Sequence, residues 1–161
     1  MNLIFENVPR VKWYSDLEPF VTALANRVHD YVWRFDAVDC NVALPGDVRE
    51  GGYWILNGDD LNALVADHPQ FAWAVVSAIP KNSTDIEVAA PCTPFADGNP
   101  AFWTGTPTPQ HPFAQFEFVC WDASATLLIG ADDSVAAAFK AAYPESINLD
   151  RENKNRDRTK P

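Results

Sequence analysis

A chain of 161 residues, 47% hydrophobic and 21% charged, is long enough to bury one core and too short for two comfortable domains. The net charge is −10, and between Phe35 and Phe139 only Arg49 and Lys81 are basic, against fourteen carboxylates; that excludes the cationic footprint that nucleic acid requires. No apolar run approaches the ~20 residues of a bilayer span, and three scattered cysteines, Cys40, Cys92 and Cys120, make no disulfide framework.

"LIF" at 3–5 is the first strand candidate. The N-terminus MNLIFENVPR lacks a basic region leading into an apolar one, so a secretory signal is not expected and a cytoplasmic location is. "SDLEPFVTALANRV" predicts a helix: Ser15 and Glu18 have capping-box spacing, and Leu17, Phe20, Val21, Leu24 and Val28 form one apolar stripe. Residues 31–44 read as extended chain, "YWIL" as a strand, and "DDLNALVADHP" as a short helix capped by Asn57 or Asp59 and stopped by Pro69. "FAWAVVSAIP" is almost wholly apolar, which suits a central strand covered on both faces, and "TDIEVA" reads as its neighbour.

Residues 91–113 are unusual, because they join Pro94, Pro100, Pro107, Pro109 and Pro112 to Phe95, Phe102, Trp103 and Phe113. Prolines keep such a segment out of a sheet, while aromatics argue against disorder, so an ordered loop is expected. Beyond it, Phe116, Phe118 and Cys120 alternate with Gln115, Glu117 and Val119 as in a half-buried strand, "DAS" is a turn, and "ATLLIG" returns. "DDSVAAAFKAAYP" predicts a last helix. The segment 150–161 carries five Lys/Arg and three Asp/Glu, or +2, so the other 149 residues hold 7 basic and 19 acidic groups, or −12. The expected architecture is a single α+β domain over 1–149, a mostly antiparallel sheet with two or three helices packed on it. Residues 150–161 are expected to be a disordered polar tail whose removal shifts melting little.

Chemistry leaves few candidates. His29, His68 and His111 lack a partner at metal-ligand spacing, so no metal and no cofactor are expected. Asp59-Asp60 and Asp132-Asp133 each precede a helix, where capping explains them. There is no nucleophile elbow or phosphate-binding loop, and Cys92 with His111 is the sole Cys/His pair a folded loop could join. The aromatic surplus, six tryptophans and ten phenylalanines, is what chemistry does not absorb. Phe102 and Trp103 are therefore candidate interface anchors, with burial of Trp103 under the loop as the other reading.

The stretch "VCWDASATLLIGADDSVAAAFKAAYPESINL" resembles small immunity proteins of bacterial toxin systems, including contact-dependent inhibition. The resemblance implies an acidic cytoplasmic domain that acts as an antitoxin, binding and occluding one cognate toxin domain, often a nuclease. Acidity by itself makes a cationic protein the natural complement, although it also serves solubility. The candidate partner-binding residues are Asp36, Asp39, Asp47, Glu50, Asp97, Phe102 and Trp103. A small enzyme using Cys92 and His111 or a carboxylate pair, and an acidic mimic of nucleic acid, stay open as alternatives.

Overall fold

The alternating apolar segments assemble into one seven-stranded sheet. The structure, a computed structural model, describes residues 1–9 and 11–158, the side chains of 157 and 158 excepted. In chain order the elements are β1 (Leu3–Glu6), α1 (Glu18–Leu24), a 3-10 turn (Ala25–Asp30), β2 (Tyr31–Cys40), β3 (Trp54–Leu56), α2 (Gly58–Ala66) and β4 (Phe71–Pro80). There follow α3 (Asp85–Val88), a second 3-10 turn (Pro100–Trp103), β5 (Phe116–Trp121), β6 (Ala125–Ile129), α4 (Asp133–Ala142), β7 (Ile147–Asn148) and α5 (Leu149–Arg158). The strand order is β3-β2-β4-β5-β6-β1-β7, and every pairing is antiparallel. The α+β architecture with an antiparallel sheet is as expected, but the sheet is wider and the helices more numerous than two or three.

Strand alternation divides the side chains between two faces. Trp33, Phe35, Val76, Ala78, Phe116, Phe118 and Leu128 point to one face and pack with the apolar stripes of α1, α2 and α4. Ile4, Val75, Val119 and Leu127 point to the other, which residues 91–113 and α5 cover through Ala96, Phe102 and Leu149. β4, between β2 and β5, is buried on both sides as its apolar run implies. β5 departs from expectation. Glu117 and Val119, on the side read as solvent-facing, are fully buried, because the proline-rich segment lies over them as a strap.

Local chemistry fixes the helix ends. Asn57 Oδ1 accepts from the Asp60 N–H at 2.9 Å to start α2, and Asp132 Oδ1 accepts from the Val135 N–H at 2.7 Å to start α4. The Ser15–Glu18 capping box does not form: Ser15 is buried and its hydroxyl donates to the Phe71 carbonyl instead. "TDIEVA" is a correction too, since it is the helix α3 and not a strand. Thr84 Oγ1 accepts from the Glu87 N–H at 3.3 Å, and the Glu87 carboxylate accepts from the Thr84 N–H at 2.7 Å, which is the reciprocal box of a T-x-x-E sequence.

The tail is a further correction over residues 150–158, which continue α5; residues 159–161 lie outside the described ones. Its few inward side chains are placed on the helix period: Leu149 and Asn153 are both fully buried, and Asn153 Nδ2 donates to the carbonyls of Phe102 and Gly105 at 3.0 and 3.3 Å. Arg156 reaches Glu6 at 2.8 Å and lies 4.7 Å over the Trp103 ring. Removing residues 149–161 is accordingly expected to cost about 2–3 kcal/mol, from the loss of a buried leucine and two hydrogen bonds. Chemical denaturation of the truncated chain checks this; an unchanged midpoint would show that α5 contributes nothing to the second face.

Candidate functional site

The strap formed by residues 91–113 has no strand partners, and its prolines remove backbone donors. Its remaining polar groups must therefore be met by side chains wherever they are buried. Arg34 on β2 fastens the entry to the strap: Nη1 donates to the Val88 and Ala90 carbonyls, which precede it, at 3.1 and 3.0 Å, and Nη2 to the Cys92 carbonyl at 3.0 Å. Asn2 Nδ2 donates to the Pro107 carbonyl at 2.8 Å, and Asn153 holds Phe102 and Gly105 from α5. Gly130 lets the strap settle on the sheet, since a Cβ there would lie 2.6 Å from the Pro109 ring. From the sheet, Glu117 acts with the opposite polarity: its Oε1 accepts from the N–H groups of Gln110 and His111 at 2.9 and 2.8 Å and from the Ser77 hydroxyl at 3.1 Å.

These anchors form a buried polar layer. Ser77 on β4 stands in register with both Arg34 and Glu117, so the three side chains lie in one row across the sheet. Arg34 completes its donor set on Asp36, through Nε and Nη2 at 2.9 Å each, and its guanidinium lies 3.8 Å over the Tyr53 ring. Burial raises the Asp36 carboxyl while Arg34 opposes the rise. Burial pushes Glu117 up to about 7, the three hydrogen bonds opposing and Asp36 adding to the shift; Glu117 Oε2 is buried without a hydrogen-bond partner. His111 is buried, and burial together with Arg34 lowers its pKa. The neutral ring accepts the Phe113 N–H at Nδ1 (3.2 Å) and faces the Val88 carbonyl with Nε2 (3.3 Å), which sets the Nε2–H tautomer.

Cys92 and His111 do approach the same arginine, yet they are not arranged as nucleophile and base. Both ring nitrogens of His111 are engaged elsewhere, and burial raises the Cys92 thiol, which disfavours the thiolate. The cleft of about 450 Å³ beside Cys92 is lined by Arg34, Glu50, Tyr53 and residues 89–93. Glu117, Ser77 and His111 do not line it. Among the described residues no group of three or more His, Cys, Asp or Glu could hold a metal, and no helix is long and apolar enough to cross a membrane.

The residues singled out from sequence separate into inner and outer sets. Asp36 is buried in its pair with Arg34, and Phe102 is 1% exposed, so both belong to the interior. Trp103 is half-buried, its ring 4.8 Å from Trp121 and edge-on to it, with Arg156 on its face. Asp39, Asp47, Glu50 and Asp97 are exposed. A register shift between Asp36 and Asp39, with Ala37 at φ 48°, separates those two neighbours; an inserted residue re-aims the side chains beyond it.

Sequence reasoning missed the outward aromatics. Phe95 and Phe113 are 45% and 43% exposed, and Ile86 on α3 is 84% exposed. All three stand on one scaffold. Gln110 Oε1 accepts from the Phe95 N–H at 3.1 Å and its Nε2 donates to the Phe95 carbonyl at 3.0 Å, while His111 holds Phe113 and reaches Val88 at the end of α3. Exposed Asp85 and Asp97 adjoin these residues in sequence, and Thr93, Pro94 and Phe95 share a cleft with Gly51 and Gly52, beside Glu50. The prolines of 91–113 signalled a loop with aromatics, but which rings face outward depends on the anchors beneath. No protein-family model, curated protein or solved structure matches this chain, so the functional reading rests on the site itself.

Proposed function

We propose that this protein is an immunity protein, which binds a cognate, basic bacterial toxin domain and neutralises it by occlusion. The supporting observation is the outer surface of the strap, where Phe95 and Phe113 are exposed on a fastened scaffold, with Ile86 exposed on α3, beside the carboxylates of Glu50, Asp85 and Asp97. Rigid aromatics need little ordering on association, and an acidic surround steers a cationic partner. Phe102 is interior, so the anchor role moves from it to Phe95 and Phe113, with half-buried Trp103 kept as a candidate beside them.

The test takes the product of the neighbouring gene, which this reading expects to be a larger protein with a basic C-terminal domain, and measures binding to that domain. Phe95→Ala and Phe113→Ala are each expected to weaken binding about thirtyfold, the effect of losing ~2 kcal/mol, while thermal unfolding stays near that of the parent. Glu50→Lys with Asp97→Lys should slow association, and more so at low salt. Absence of binding to that domain, or unchanged affinity in a folded Phe95→Ala/Phe113→Ala protein, would sink the proposal.

A further inference from the structure

We propose that the buried Glu117 carboxyl is a proton-controlled latch on the strap, closing the scaffold that presents Phe95 and Phe113. Its oxygens treat the strap asymmetrically. Oε1 gathers two consecutive backbone N–H groups, Gln110 and His111, together with Ser77, while Oε2 is buried with no partner. A carboxylate there leaves a partnerless anionic oxygen in the interior, whereas a carboxylic acid keeps the Oε1 contacts without the buried charge. Gln110 and His111 are also the two residues that carry Phe95 and Phe113, so the latch acts on the binding face through a single dipeptide.

The direction follows from linkage. Closed, Glu117 holds its proton up to about 7, chiefly because of burial; once the strap lifts and water enters, the carboxyl returns to its ordinary value of 4.5. The closed form therefore binds the extra proton between those values. Closure is fully favoured below the lower one and weakens as pH rises through the upper one. Between pH 6 and pH 8 the ratio of lifted to closed strap should rise about tenfold.

One other group facing Glu117 titrates near that window. From β2, Arg34 pairs with Asp36, whose carboxyl is raised by burial and lowered by Arg34. On the strap, burial raises Cys92 above 9.0, while His111, lowered in the closed form, regains 6.5 when the strap lifts and so offsets part of that rise below about pH 6.5. β4 and β6 contribute Ser77 and Ile129 in register, neither of which titrates in this range.

Amide hydrogen exchange at Gln110 and His111, corrected for the intrinsic rate, tests the latch in the full chain without any partner. Protection is expected to fall, by up to about tenfold, from pH 6 to pH 8, and not to fall in Glu117→Gln, which keeps an Oε1 acceptor and cannot ionise. Flat protection in the parent protein, or the same fall in the variant, overturns the latch. Should Glu117→Gln fail to fold, the side-chain carboxyl carbon of Glu117 decides by NMR: a titration near 7 supports the latch and one below 5 overturns it. Only the consequence for partner binding rests on the function proposed above. A latch that titrates in a protein that binds no toxin domain would remove the function and leave the latch standing.

Discussion

Arg34→Met is expected to destabilise the fold by about 3–5 kcal/mol, the usual effect of breaking a buried ion pair. All five N–H groups of this arginine are engaged, two on Asp36 and three on the carbonyls of Val88, Ala90 and Cys92. Methionine fills much of the volume but leaves the buried Asp36 carboxyl and the Cys92 carbonyl without the donors Arg34 supplies, while the Val88 and Ala90 carbonyls keep only His111 Nε2 and the Cys92 N–H. Replacing the pair together, as Arg34→Met with Asp36→Leu, removes the orphaned carboxyl and should recover part of the loss. It cannot recover all of it, since the Cys92 carbonyl still loses its donor. Urea midpoints for the single and double variants, compared at constant m, measure both quantities. A loss below about 1 kcal/mol for the single variant, or full recovery in the double, would show that Arg34 does not hold the strap.

Phe102→Ala is expected to cost a similar ~3–5 kcal/mol, because a fully buried ring between strap and sheet leaves a cavity when truncated. Phe102 meets Trp121 edge-on at 6.1 Å, and Trp121 in turn meets Trp73 at 5.2 Å and Trp103 at 4.8 Å. Loss of Phe102 thus unseats the strap from a cluster of three half-buried tryptophans. Phe95→Ala and Phe113→Ala should stay within about 0.5 kcal/mol of the parent, as exposed positions do. In a chain of this size 3–5 kcal/mol corresponds to roughly 6–20 °C of melting temperature, well above scatter between variants. Equal destabilisation by Phe102→Ala and Phe95→Ala would contradict the division of the strap into inner and outer aromatics.

The sequence by itself determines the elements whose signals are local. The stripe of Leu17, Phe20, Val21, Leu24 and Val28 is buried throughout, Asn57 and Asp132 cap the helices they precede, and β4 is a central strand because every position but Ser77 is apolar. Each depends on periodicity or on a hydrogen bond spanning three residues. Thr84–Glu87 was equally local, and its capping-box spacing outweighs the alternation of Ile86 and Val88 that suggested a strand.

Only the tertiary structure decides what lies over the second face. Glu117 alternates with Phe116 and Phe118 as a solvent-facing residue would, and becomes interior because a strap without backbone partners needs an acceptor for Gln110 and His111. Residues 150–158 look like solvated tail, and become helix because Leu149 and Asn153 meet the strap across the sheet. Phe102 and Phe95 are the same residue type on the same loop, one inside and one outside, according to which strap carbonyls Arg34, Asn2 and Asn153 reach. These contacts join residues up to 105 positions apart. Composition, period and spacing act within a few residues, so the placement of the strap, and with it the candidate binding face, belongs to the folded chain.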